Sequence, residues 1–458
     1  MSHLGSKVAG RLSRLADWFR RVELRWGVPP PTGVVIFEAT NSDYLLPLCG
    51  SAPTMVLDVP ARVVHLGWAQ IAGTALLAIR GHGLQAAYFA TLLRLLKPSI
   101  VITFIDNSDL FHRVARINSG QMRFLAIQNA ARYDVVELLP DAARKIYLPE
   151  FACFGEYERD LYTEKGAQVG TFYPIGSLRE SYFRRYWKSR GHDARNGAPE
   201  YDLCVVAEAS PGWDSLYPGS EDAIGKIATY AVRYAKEHGL RLVIAGKRDA
   251  APGMERARIH HRDVEVAWYE KYIGTETPIT PRVRDQFTTY GLISRSRLSL
   301  ALMSTALREA TNRGCKILFC NYSRDPRWDF CVNGVWSLTQ DGYDAFAERV
   351  TCLLSMPDEE YRAQSAGMAT YVMNNDDERP TWLRLSEIVQ SAVTPAAAGP
   401  SGGCHALAAP WSSEKAGGDH PGLPHTRSTS LRVLLREAGS GCDSCLPITR
   451  VTRTYHVQ

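Results

Sequence analysis

The chain has 458 residues, 45% hydrophobic and 22% charged, with a formal net charge of +5. That length holds two domains, and that balance belongs to a soluble globular protein. The charge is too mild to argue for a nucleic-acid partner, and ten cysteines without metal-site spacing exclude a disulfide framework or a zinc finger.

The cysteines read as reduced and mostly buried, which suits the cytoplasm. The first residues carry many arginines and no apolar core segment, so no secretory signal is read. Residues 7–26 have an apolar stripe of Val8, Leu12, Leu15, Phe19, Val22 and Trp26 at steps of three and four. Lys7, Arg11, Arg14, Arg20, Arg21 and Arg25 dominate the rest. This pattern predicts a basic amphipathic helix, closed by Pro29-Pro30-Pro31. Such a helix can pack on its own domain or lie on an anionic membrane surface at the inner face of the cytoplasmic membrane. The apolar run Gly67–Ile79 is too short to span a bilayer and ends at Arg80.

From Gly33 the pattern is α/β. Strands are expected at Val34–Phe37, Met55–Leu57, Val63–Leu66, Ser99–Ile105, Phe124–Ile127, Lys145–Leu148 and Ala152–Phe154. Helices are expected at Leu84–Leu96, Asp109–Ile117 and 156–166. Residues 184–200 are polar and aperiodic and place a domain boundary. The pattern then resumes with strands at Tyr201–Ala207, Leu240–Ala245, Val264–Tyr269 and Leu298–Leu302. Helices follow at Asp222–Glu237, Tyr343–Leu354, Glu359–Tyr371 and Thr381–Ala392. Strands alternating with helices imply mainly parallel sheets covered on both faces. The expected organisation is a basic helix and linker (1–32), two Rossmann-like domains (33–190 and 200–393) facing across a cleft, and a disordered tail (394–458) rich in Ala, Gly, Ser and Pro.

One stretch concentrates the chemistry. Ser299 to Met303 reads as a buried strand end, Ser304-Thr305 as a helix cap, and Ala306-Leu307-Arg308-Glu309-Ala310 as a helix. A helix starting at the carboxyl end of a strand offers N–H groups to a phosphate, and Glu309 lies about one turn on, where it can accept from ribose hydroxyls. An ordinary capped helix has the same sequence. Lys247 and Arg248 follow another strand and can neutralise phosphates or sit in a solvated loop. In the N-terminal half, strand ends present Asp106-Asn107, Gln128-Asn129 with Arg132, and Gly155-Glu156. Asp106, Asp109, His112 or Glu156 can serve as a general base on an acceptor hydroxyl. Asp106 and Asp109 can equally cap the next helix, and Gln128-Asn129 can close a turn. Ser177 and Arg179 lie near the domain crossover. Trp268 and Tyr269 are stacking or core aromatics. No metal-ligand spacing and no Asp-x-Asp segment occurs, so no metal or cofactor is expected.

The segments Ile100–Asn107, Ala126-Ile127-Gln128-Asn129-Ala130-Ala131-Arg132, the Gly155 region, Pro174-Ile175-Gly176-Ser177 and Ser304–Ala310, in this order, resemble a bacterial family of surface carbohydrate biosynthesis proteins. That family is similar to the wider GT-B superfamily of glycosyltransferases, lipid A Kdo transferases and CDP-glycerol glycerophosphotransferases. The resemblance runs from about Gly33 to Ala392. It implies a nucleotide-activated donor in the C-terminal domain, on Ser304, Thr305 and Glu309, and a glycan or lipid-linked acceptor in the N-terminal domain. Family members often carry glycine where Ala130 follows Asn129, which bears on the backbone there. The resulting reading is a metal-independent glycosyltransferase acting from a nucleotide-activated sugar. A nucleotide-sugar 2-epimerase, a CDP-alcohol phosphotransferase-like polymer synthase and a non-catalytic assembly protein on the same scaffold stand beside it.

Overall fold

In the computed structural model the described residues are 22–59, 63–133, 145–191, 199–208, 213–215, 217–249 and 262–394. The expected tail from 395 onward and residues 7–21 of the expected basic helix lie outside them. The end of that helix is corrected: Glu23–Trp26 is a strand (β1) paired in parallel with β4 (Val63–Leu66). That pairing joins residues about forty apart, which a local period does not register.

Two six-stranded parallel sheets carry the rest. The first is built from β2 (Val34–Phe37), β3 (Thr54–Leu57), β5 (Ile100–Thr103), β6 (Arg123–Ile127), β7 (Tyr147–Cys153) and β8 (Gln168–Pro174), in the order β3-β2-β5-β6-β7-β8. The strands expected at 145–148 and 152–154 are the two ends of the single strand β7. In β2 the side chains alternate. Val34 and Ile36 enter one buried cluster and Val35 and Phe37 the other. Burial on both faces is why the strand reads as an unbroken apolar run.

The covering helices of this half are α1 (Ser42–Leu45), α2 (Trp68–Leu77), α3 (Leu84–Leu96), α4 (Asp109–Ile117), α5 (Glu156–Glu164) and α6 (Leu178–Ser189). Helix α3 stops where Lys97 turns left-handed, φ 50°, ahead of Pro98. Helix α6 runs through 184–189, so the aperiodic linker expected there begins later. Its periodicity is masked because Arg184 and Glu180 are drawn inward as an ion pair.

The second sheet has β9 (Tyr201–Val206), β10 (Leu242–Asp249), β11 (Ile279–Arg282), β12 (Ser296–Ala301), β13 (Ile317–Cys320) and β14 (Ser337–Leu338), in the order β11-β10-β9-β12-β13-β14. Helices α7 (Ser220–His238), α8 (Arg262–Ile273), α9 (Thr288–Ser294), α10 (Thr305–Glu309), α11 (Tyr343–Ser355) and α12 (Asp358–Val372) accompany it. The strand expected at 264–269 is corrected to helix α8, whose buried residues are Glu265, Trp268, Tyr269 and Ile273. Those positions have the helical spacing, but one of them is a carboxylate, which hides the period. The last helix, α13 (Thr381–Val393), returns to the first half. Leu385 and Val389 pack with Val34, Ile36 and Ile102, and Thr381 Oγ1 donates to the Ile175 carbonyl at 2.6 Å.

Both sheets are doubly wound. In each, the chain starts at an inner strand, β2 or β9, builds outward to one edge, then crosses back to build the other. The reversal points fall between β2 and β5 and between β9 and β12. Ligands of open α/β sheets bind outside the carboxyl ends of strands at such points. Among the described residues Cys49, Cys153, Cys204, Cys315, Cys320 and Cys331 are free thiols.

The two halves are joined by a buried ion pair, Arg308 on α10 with Glu158 on α5, at 2.6 Å and with 1% or less side-chain exposure on each partner. Arg308→Met strands the Glu158 carboxylate and is expected to cost roughly 3–5 kcal/mol in urea unfolding. The double variant Arg308→Met/Glu158→Gln is expected to recover part of that loss, since it leaves no buried charge alone.

Candidate active site

The carboxyl ends of both sheets open onto one cleft of about 490 Å³. From the first half come Asn41 and Tyr44 after β2, Asn107 after β5, Ala130 to Tyr133 after β6, and Arg179. From the second come Glu208 after β9, Lys247 on β10, Arg282 and Arg284 at the end of β11, and Met303 to Ala306 after β12. Strand ends supply these residues because a parallel sheet delivers every strand's carboxyl end to the same edge.

At the reversal point of the second sheet, Glu208 accepts the N–H groups of Leu302 at 2.6 Å and Met303 at 2.9 Å. Its carboxylate thereby ties β9 to the turn that precedes Ser304. Lys247 Nζ donates to the Glu208 carbonyl at 3.2 Å, and Glu265 holds the Lys247 and Arg248 amides at 2.9 and 3.1 Å. Burial raises the Glu208 carboxyl and lowers the Lys247 ammonium, so each moves toward its neutral form. Glu208 was not singled out in the sequence. Its signal is the one used in the first half, a polar residue just past a strand, here one position beyond Ala207.

Ser304 caps α10, its hydroxyl accepting from Leu307 N–H at 3.4 Å. The helix is only five residues long before it tightens into a 3₁₀ turn at Ala310–Arg313, so its dipole is short. The Thr305 hydroxyl accepts the Ala131 amide at 3.0 Å and bridges the halves. Glu309 borders the cleft but is buried. It accepts from the Ser177 hydroxyl, and from Tyr290 Oη at 2.6 Å. Burial pushes its carboxyl up to about 7, against the opposing pull of Arg179 and the two hydroxyls.

The N-terminal candidates divide. Asn107, Arg132 and Arg179 line the cleft. Arg179 donates to the Asn129 carbonyl at 2.7 Å and lies over the Phe104 ring. Asp106 is buried in an ion pair with Arg132 and also accepts the Asn129 amide at 3.2 Å and Tyr162 Oη at 3.3 Å. Its oxygens serve the loop after β6. Gln128 is buried, donating to the Ala130 carbonyl and Glu158 and accepting from the Phe154 amide. Asp109 lies on the exposed start of α4 beside Arg113, and Glu156 on α5 beside Arg159, and neither lines the cleft. None of these three carboxylates, expected as bases for an acceptor hydroxyl, lines the cleft. Ala130 is not among the positive-φ residues, so its backbone accepts a Cβ. Arg248 does not line the cleft. His112 is buried with Nε2 2.7 Å from the Asp106 carbonyl, and Trp268 and Tyr269 are core, Tyr269 Oη accepting the Glu208 amide.

Three aromatics complete the cleft wall. Trp328 meets Tyr217 edge-to-face at 4.9 Å and Tyr133 at 5.7 Å. Tyr133 Oη and Trp328 Nε1 are buried and, among the described residues, have no hydrogen-bond partner. Buried polar atoms are nearly always paired, so two such groups on a cleft wall mark places where a ligand can supply the missing acceptor. Arg284 spans the cleft mouth, donating to Asn41 at 3.0 Å and Asp43 at 2.8 Å, with its guanidinium over the Tyr44 ring.

No family model matches this sequence, and no curated protein matches it. Solved structures similar to it include the UDP-GlcNAc 2-epimerase of Methanocaldococcus jannaschii in complex with UDP-GlcNAc and UDP, at 11% identity, covering 81% of this chain and 100% of that one, TM-score 0.45. The sucrose-phosphate synthase of Thermosynechococcus elongatus matches at 11% identity, 79% and 98% coverage and TM-score 0.42. The wall teichoic acid polymerase TagF matches at 9% identity, 80% and 90% coverage and TM-score 0.45.

The folded protein holds the Glu309 proton up to about pH 7, while an unfolded chain releases it near 4.5. Between those values the folded state binds more protons, so stability falls as pH rises through the window. Glu309→Gln stays neutral and is expected to flatten that decline by up to about 3 kcal/mol. Urea unfolding of both proteins at either end of the window checks it.

Proposed function

We propose that this chain is a glycosyltransferase that moves a sugar from a nucleotide-activated donor to a surface polysaccharide or lipid-linked glycan acceptor. The observation that carries the reading is the set of groups that line the cleft: the Lys247 ammonium and the Ser304 turn from the second half, with Tyr133 Oη and Trp328 Nε1, which lack hydrogen-bond partners among the described residues. Lys247 and the amides after Met303 meet the diphosphate. The Trp328, Tyr217 and Tyr133 rings meet the base. Ser177 and Tyr290 yield to ribose hydroxyls at Glu309. Negative charge develops on the leaving diphosphate as the glycosidic bond breaks, and a fixed cation aimed there lowers the barrier. Arg179, Arg282 and Arg284 add cations from the other walls. The acceptor enters along a groove continuous with the cleft through Tyr44, Arg284 and Phe287, and walled further by Tyr182 and Tyr186. Aromatic faces of this kind stack on sugar rings while their hydroxyls stay polar. The resemblance of residues 33–392 to surface carbohydrate biosynthesis proteins supports the same reading.

A second reading is favoured by one observation. Glu208 and Glu309, both held toward neutrality by burial, border the same cleft and would serve as acid and base in a nucleotide-sugar 2-epimerase.

Calorimetry with a panel of UDP- and CDP-linked sugars is expected to show binding. Lys247→Ala is expected to weaken it about tenfold or more, as loss of a charge-assisted contact does. Tyr133→Phe is expected to weaken it about fivefold without loss of stability, because the hydroxyl has no partner in the free protein. Free nucleotide released only when a glycan acceptor is added supports transfer. A new epimer formed without acceptor supports the second reading, and no nucleotide binding overturns both.

A further inference from the structure

Helix α2 is built inside out. Its polar residues Gln70 and Thr74 are buried, Gln70 Nε2 donating to Thr74 Oγ1 at 3.3 Å and to the Tyr88 carbonyl at 2.9 Å. Its outward face is Trp68, Ile71, Ala72, Ala75 and Leu76, continued by Ile79. These recur at steps of three and four, so they form one stripe. Trp68 is 77% exposed and Ile79 84%. An ordinary surface helix turns such a stripe to the core and leaves Gln and Thr in water. The stripe widens beyond the helix. Trp26 of β1 meets the Trp68 ring edge-to-face at 5.5 Å, a Cβ at Gly67 would touch Val28, and Leu84 is 70% exposed where α3 begins. Most of the large exposed apolar side chains among the described residues fall between Leu24 and Leu84.

The unpaired charge around the stripe is positive. No Asp or Glu occurs between Asp58 and Asp106. Arg80 is exposed beside Ile79, and Arg113 donates to the His82 carbonyl where the stripe ends. Glu23 and Asp109 border the patch, each paired with an arginine, Arg25 and Arg113. The chain that leads into β1 adds Lys7, Arg11, Arg14, Arg20 and Arg21 against the single acid Asp17.

We propose that the outward face of α2, with Trp26 and Leu84, inserts into the headgroup–acyl boundary of an anionic bilayer. Apolar side chains at the centre enter the acyl region, the two indoles sit at its polar boundary, and Arg80 and Arg113 reach lipid phosphates. A second copy of this chain is the less fitting occupant. Two-fold pairing would set this cationic rim against itself, with no carboxylate from 59–105 to answer it. The proposal does not depend on the transferase reading, since it uses no residue of the cleft.

The full chain is expected to co-sediment with vesicles of phosphatidylcholine and phosphatidylglycerol, and less with phosphatidylcholine alone. Ile79→Glu and Ile71→Glu each lower the affinity at least tenfold. Val56→Glu, at an exposed apolar site outside the stripe, leaves it unchanged. Vesicles shift the tryptophan emission to the blue, and Trp26→Phe/Trp68→Phe removes most of that shift. Vesicle binding equal in Ile79→Glu and the unmodified chain overturns the proposal and leaves the basic segment before β1 as the binder. No vesicle binding, together with a dimer in sedimentation velocity that Ile79→Glu dissociates, overturns it in favour of self-association. The cleft reading survives either outcome, since nucleotide affinity is measured without lipid.

Discussion

Among the described residues, both fully buried ion pairs between the two halves pass through one short segment, Thr305 to Arg313. Arg308 meets Glu158, Arg313 meets Glu180, Glu309 takes the Ser177 hydroxyl and Thr305 takes the Ala131 amide. Two of these contacts are ion pairs removed from water, where desolvation offsets much of the Coulomb gain. Such pairs add little net stability when intact, yet punish any geometry that separates them. What they supply here is registry. Arg308 lies over the Tyr157 ring and Arg313 over Phe183, so each guanidinium is held in plane as well as in charge. The segment follows directly on Ser304 at the cleft wall, so the contacts that join the halves adjoin the site.

That dual use sets the electrostatics of the site. Helix α10 cannot be long, since its residues after Leu307 are spent on the other half. A phosphate bound there draws little from a macrodipole and more from Lys247 and from amides fixed by Glu208. Glu208 is a buried carboxylate lining the cleft where an anion is proposed to bind. Its burial keeps it near neutrality, and its two N–H contacts hold the β12 turn open. An anion arriving beside it favours the protonated form further, so the proposed nucleotide binding would be coupled to proton uptake at Glu208.

The sequence showed the sheets well and the site partly, for physical reasons. Strands buried on both faces, such as Val34–Phe37 and Ile317–Cys320, are apolar runs with turn residues at their ends, and nothing else of that length reads alike. Helix α8 failed the same test because Glu265 occupies a core position to hold the Lys247 and Arg248 amides. Helix α2 was met only as an apolar run too short for a bilayer, since its polar residues face inward. In the site, Ser304, Lys247, Arg132 and Arg179 were visible as polar residues at strand ends or crossovers. Asp106 and Gln128 were visible for the same reason but are spent on Arg132 and Glu158. A carboxylate at a strand end does not announce whether its partner is a substrate or an arginine 26 residues away.

The same limit applies to Tyr133 and Trp328. In sequence they are two aromatics nearly two hundred positions apart, each indistinguishable from core. Only folding brings the loop after β6 against the turn after β13, and only then do Oη and Nε1 lie buried on a shared wall without partners. A free protein that leaves two buried donors unpaired bears a desolvation cost of about 1–3 kcal/mol for each. A site can carry that cost when a ligand repays it, and the proposed nucleotide, with a planar base at one end and phosphates at the other, is a ligand of that kind for a cleft that Lys247 also lines.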